Sequence, residues 1–227
     1  MKDIRAILAA AGLFFATVTG LMIPAKAVSA QGLSDLTAEW WQWALSIPAS
    51  VNPLTDASGD FCMVGQRGPI WFLAGNLTGA PSITRTCSVP GDKTLFFPVI
   101  NDVNISIPQG VCGSTGLETS KQLRADIKPF IDAAQNLLVT VDGQTVKKAL
   151  LQRVRSQVFD VALPADNLFG GGSSCPAAIY SPAVDDGYYV SLEPLKPGPH
   201  TIHFQAESGT LTIDVTYNLT VVPVTLK

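Results

Sequence analysis

His200 and His203 are the only imidazoles in the chain, so any chemistry that needs histidine must pass through one of them. They lie three apart in a stretch patterned as a strand, which turns them to opposite faces, and a shared metal would need further ligands. A structural role is expected for both, with no metal and no cofactor. Asp56-Ala57-Ser58-Gly59-Asp60 and Asp185-Asp186-Gly187 combine oxygen donors with a Gly bend, as calcium loops do. Neither carries the full ligand series, and both read as ordinary turns. Glu39, Asp102 and Glu193 are the carboxylates considered for glycoside hydrolysis, which needs two such groups flanking one bond; nothing in their spacing pairs them. No Gly-x-Ser-x-Gly elbow, Walker loop or dinucleotide fingerprint occurs. The flat rings of Trp40, Trp41, Trp43 and Trp71 could stack on sugars, with Trp41 and Trp71 as the ligand candidates. Magnitude favours the core: burying three Trp at about 150 Å² each and about 25 cal/mol per Å² is worth on the order of 11 kcal/mol. Trp40 and Trp43 are therefore expected to pack a helix onto a sheet, leaving Trp41 the most exposed.

The chain has 227 residues, of which 47% are hydrophobic and only 15% charged, with a net charge of −3. That composition excludes disorder driven by charge, and the lack of a basic run argues against nucleic-acid binding. Lys2 and Arg5 precede an uncharged run from Ala6 to Ile23, then Pro24 and small-x-small sites ending at Ala27 and Ala30. This is the pattern of a secretory signal peptide, residues 1–30, with cleavage expected between Ala30 and Gln31. No later stretch is long enough to anchor the mature chain in a membrane, so a secreted or periplasmic protein is expected. All four cysteines, Cys62, Cys87, Cys112 and Cys175, lie beyond the signal. In an oxidising compartment they read as two disulfides, for which three pairings exist. Cys62 with Cys87 and Cys112 with Cys175 is favoured, because the first ties one hairpin-like segment and the second pins a Gly-rich loop.

Positioning these residues falls to a helix and a series of short strands. Ser34 is placed as the N-cap of a helix to about Ser46, with Leu36, Trp40, Trp43 and Ile47 on one face. Residues 52–68 read as loop, followed by strand-like runs at 70–74, 83–88 and 95–100. A second helix is expected over 119–136, kinked or broken at Pro129. Asp142-Gly143 between apolar runs signals a hairpin. Further strands are expected at 157–163, 188–192, 201–206 and 210–222, with 167–182 a Gly/Ser-rich loop. Short strands with regular turn signals indicate a mainly β protein, an antiparallel sandwich with an N-terminal Trp-rich helix and a second helical insertion. Residues 31–136 form the helix-bearing region and 137–227 the strand-rich one, and the two can join as one continuous domain.

Three resemblances bear on these readings. Trp40 to Pro48, Gly68 to Gly75 and Leu95 to Asn101, with Arg85-Thr86-Cys87 and the ending Pro197 to Tyr217, resemble a group of uncharacterised secreted bacterial proteins across most of the mature chain. That resemblance implies no activity. The group is associated with a further cysteine on the helix near Leu123 to Lys128, absent here, which leaves the partner of Cys112 open. The last ninety or so residues resemble the Ig-like domains of bacterial surface proteins in strand spacing. Gln109 to Ser114 is similar to the stretch around the nucleophile of papain-like cysteine peptidases, which implies a thiolate at Cys112 with His203 as base and Asn218 as orienting amide. Thr115-Gly116 departs from that motif, and the separation from Cys112 to either His is short for it. The expected function is thus a non-catalytic binding or surface-associated protein with a glycan or protein ligand. The alternatives are a secreted hydrolase, through Cys112 or unpaired carboxylates, and a carbohydrate-binding module using Trp41.

Overall fold

The computed structural model describes residues 30–224. The expected signal segment lies outside the described residues up to position 29, and Ala30, where cleavage is expected, opens the first helix. That helix, α1, spans Ala30–Ser46. It starts a full turn before Ser34, so Ser34 is inside the helix and not its cap, and Leu33 extends the apolar face backwards.

Among the described residues, ten strands build two sheets. The first holds β1 (Ile70–Phe72), β3 (Thr94–Ile105), β8 (Ala178–Leu192) and β6 (Leu151–Arg155) in that order, and β7 (Phe159–Leu163) pairs with another part of β8. The second runs β2 (Ile83–Pro90), β10 (Leu211–Val222), β9 (Gly198–Ser208), β4 (Gln135–Val141) and β5 (Gln144–Thr145). Most pairings are antiparallel, as expected of the sandwich. Two edge pairs, β1 with β3 and β2 with β10, are parallel. Asp142 and Gly143 take positive φ, 52° and 76°, and form the tight β4–β5 turn that the Asp-Gly pair signals.

Alternation along β3 sets the layers. Phe96 faces α1, while Phe97 faces the second sheet and lies 5.1 Å from Phe204 of β9. The inter-sheet core gathers Leu95, Val99, Val190, Ile202, Val215 and Tyr217. On the opposite face of the first sheet, α1 lays down Leu36, Trp40, Trp43, Ala44 and Ile47. The helix α2 (Ser120–Asp132) opens with a capping box between Thr119 and Gln122 and packs Leu123 and Ile127 on Val184 of β8.

Several expected boundaries move. α2 ends at Asp132 and carries Pro129 inside an unbroken helix. Pro129 sits in the last turn, where the missing N–H costs one bond, and β4 begins at Gln135. The expected loop over 167–182 ends at Pro176-Ala177, and β8 runs straight through Asp185-Asp186-Gly187. Gly187 is needed for close packing: a Cβ there would lie 2.5 Å from that of Asn101 on β3. The strand β6 carries no clear alternation and was not expected.

Candidate functional site

Two neighbouring titratable groups of the first sheet, Asp185 and Tyr189, are buried deeply. Asp185 lies wholly out of solvent, with Oδ1 accepting from Trp41 Nε1 and from Tyr189 Oη, both at 2.7 Å, and with Oδ2 unpartnered. Burial pushes its pKa well above the usual carboxylate range, over the opposing pull of the bonds from Tyr189 and Trp41. Burial likewise raises Tyr189, whose oxygen also accepts from Asn101 Nδ2 at 2.9 Å. Asp186 points to the other face, where Arg153 grips both its oxygens at 2.9 and 2.8 Å and Arg155 adds a bond at 3.1 Å. Both Asp185 and Tyr189 shift toward the uncharged form, so this pair does not supply the opposed acid and base that proton-transfer catalysis calls for.

A second buried charge ties loops to the second sheet. Arg85, 1% exposed, donates to the carbonyls of Asp56, Ala74 and Gly75 and to Tyr217 Oη at 2.7 to 2.9 Å. Its guanidinium carbon also sits 5.4 Å from the Tyr217 ring centroid. The Asp56 carboxylate accepts from the backbone of Ser58, Gly59 and Phe61 and from Ser58 Oγ. Burial pushes its pKa up, but those bonds outweigh it and hold the group below its ordinary value. Its lone pairs therefore serve the turn. The calcium-like reading of Asp185-Asp186-Gly187 is corrected as well, since that segment is mid-strand and its carboxylates face opposite sides.

The cysteines pair as favoured, Cys62 with Cys87 and Cys112 with Cys175. Cys112 thus has no free thiol, which overturns the thiol hydrolase reading. His203 bonds Asp214 at 3.0 Å and Asn218 contacts Thr201, both on the second sheet. His200 bonds Asp142 and the Lys196 carbonyl, each at 2.8 Å, and the Asp142 contact raises its pKa. Trp41 is 8% exposed with its N–H committed to Asp185. It cannot present a sugar platform, because the rows that bury Trp40 and Trp43 also turn Trp41 into the sheet. Trp71 is buried in the inter-sheet core, with its Nε1 unpartnered. Glu39, Asp102 and Glu193 do not converge: Glu39 and Glu193 line different cavities, and Asp102 sits on β3 opposite Asp186.

What remains open is a groove of about 510 Å³ between α1 and the segment leading into β1. Along α1 only Glu39, Gln42 and Ser46 are exposed between residues 33 and 47, and all three line it. Arg67, Gly68 and Pro69 form the opposite wall, and Trp43, Ile70 and Phe72 the floor. The Trp43 and Phe72 rings lie 5.5 Å apart at 43°. Trp43 Nε1 donates to the Val64 carbonyl at 2.9 Å, and the Gln66 amide caps the free edge of β1 by pairing with both the N–H and the carbonyl of Phe72.

In comparison with known proteins, no family model and no curated protein matches this chain.

The groove therefore has to be read from its own chemistry. Its size falls within the range of about 300 to 1,000 Å³ usual for small-molecule sites. Glu39 and Arg67 are oppositely charged and line the same space, yet no ion pair joins them among the described residues. Sequence reasoning considered Glu39 only as a hydrolytic carboxylate and passed over Arg67, which sits in a Gly/Pro-rich loop with no motif around it. The sole available signal was the polar stripe Glu39, Gln42, Ser46 at helical spacing.

Proposed function

We propose that this is an exported, non-catalytic binding protein whose ligand sits in the groove between α1 and β1. The observation that carries the reading is the pair of unbridged opposite charges, Glu39 and Arg67, set across an apolar floor of Trp43, Ile70 and Phe72. Two of the segments that resemble secreted bacterial proteins, Trp40 to Pro48 and Gly68 to Gly75, supply most of its walls. The two disulfides support an oxidising compartment. Among the described residues no helix is long and apolar enough to cross a membrane.

Hydrogen-exchange footprinting with panels of amino acids, peptides and glycans tests the binding reading. Added ligand should protect residues 39–46 and 65–72 and leave the outer face of the second sheet unchanged. A protein in which no panel member protects those segments, or one that turns over ester, amide or glycoside substrates, does not have this function. Export is checked separately by fractionating cells and weighing the protein, whose amino terminus should be Gln31.

A further inference from the structure

We infer that the groove takes a small apolar zwitterion, an amino acid or short peptide with free ends, its ammonium group against Glu39 and its carboxylate against Arg67. The inference rests on the groove being the binding site. It follows from which hydrogen-bonding groups are still available there. The Trp43 N–H is committed to the Val64 carbonyl, and the Gln66 amide to β1 and the Cys62 carbonyl. Gln42 Nε2 donates to the Asp160 carbonyl at 3.0 Å, and Ser46 Oγ to the Trp43 carbonyl at 3.1 Å. The α1 wall is left with the Glu39 carboxylate, the Gln42 carbonyl oxygen and the Ser46 oxygen as acceptors, and with the second Nε2 proton of Gln42 as a neutral donor. The one cationic side chain lining the groove is the Arg67 guanidinium on the opposite wall, and no ion pair engages it among the described residues.

The groove is thus polarised by its charges, a carboxylate on the helix and a guanidinium on the loop, with apolar Trp43, Ile70 and Phe72 lining the rest. A neutral sugar carries no charge and would leave both Glu39 and Arg67 without a counter-ion. An anion would face Glu39 unpaired, and a cation would face Arg67. A zwitterion satisfies both walls, and its apolar side chain covers the Trp43 and Phe72 rings. The free edge of β1, already capped by Gln66, cannot receive an added strand, so the ends of the ligand and not its backbone make the polar contacts.

Calorimetry on the mature chain with Leu-Leu, its N-acetyl and C-amide derivatives, and a neutral trisaccharide decides the matter. Leu-Leu should bind, and masking either end should weaken it tenfold or more. Glu39→Gln should weaken Leu-Leu while abolishing the effect of N-acetylation, and Arg67→Gln should do the same for amidation. Both residues are exposed, and unchanged thermal melts will show that the variants fold. Capped dipeptides that bind as well as the free one overturn the inference. If the trisaccharide binds and protects residues 39–46 while Leu-Leu does not, the zwitterion is wrong and the groove reading stands. If no ligand of either class binds, both fall.

Discussion

Asp185 is a carboxyl group held by two donors on one oxygen and by nothing on the other. Its raised pKa makes the folded state the stronger proton binder, so stability must fall as pH rises. The contribution is fully present below the ordinary carboxylate value near 3.8 and is lost as pH climbs through the raised one. Urea denaturation at a series of pH values should therefore show this contribution declining as pH rises above 3.8, and Asp185→Asn, which keeps the acceptor and removes the titration, should flatten that slope. Asp185→Ala strands the N–H of Trp41 and the hydroxyl of Tyr189, and should cost about 1 to 3 kcal/mol for each group left unsatisfied. Arg85 poses the same problem with opposite charge. Its forked donors reach three carbonyls and a phenol, so Arg85→Lys, with a single ammonium, should lose more than about 2 kcal/mol by the same measurement. Neither residue was legible as special. An Asp-Asp-Gly run looks like a turn, and an Arg between threonines looks like an exposed strand position, until partners distant in sequence enclose them.

At the scale of elements, periodicity served well wherever one face meets solvent. α1, β9 and β10 stand out because buried and exposed residues alternate at helical or strand spacing. β8 hides the same way that a parallel strand does: it is covered by α1 on one face and by α2 and the second sheet on the other, so its sequence does not alternate. Its polar pair and glycine then pass for a turn. Gly187→Ala should test that explanation, since the added Cβ meets the backbone and Cβ of Asn101 at 2.8 and 2.5 Å. A loss of about 1 to 3 kcal/mol in chemical denaturation is expected from overpacking, whereas a true turn glycine in open space would lose far less. The capping box of α2 offers a smaller control: Thr119→Ala should cost about 1 kcal/mol.

For the whole molecule, the disulfides close loops of 25 and 63 residues, and each should contribute about 3 to 4 kcal/mol by the chain-entropy model. Replacing Cys112 and Cys175 together by Ala should lower the melting temperature by several degrees while leaving ligand affinity in the groove unchanged, because that bridge is not part of its lining. The three-layer order of helix, sheet and sheet also explains why the Trp-rich helix does not serve as a sugar platform: both rows of its large apolar side chains are spent on the first sheet, and its exposed side chains are the small or polar ones, Glu39, Gln42 and Ser46 above all. Residue order alone was enough for the mainly β class, the Trp-rich helix, the Asp-Gly hairpin and an even set of cysteines, because each is a local matter of spacing, turn chemistry or count. It took the assembled fold to bury Asp185 and Arg85, to choose among the three cysteine pairings, and to bring Glu39 and Arg67 to the lining of one groove. Burial, bonding and juxtaposition depend on residues far apart in the chain, and no local window of sequence contains both partners.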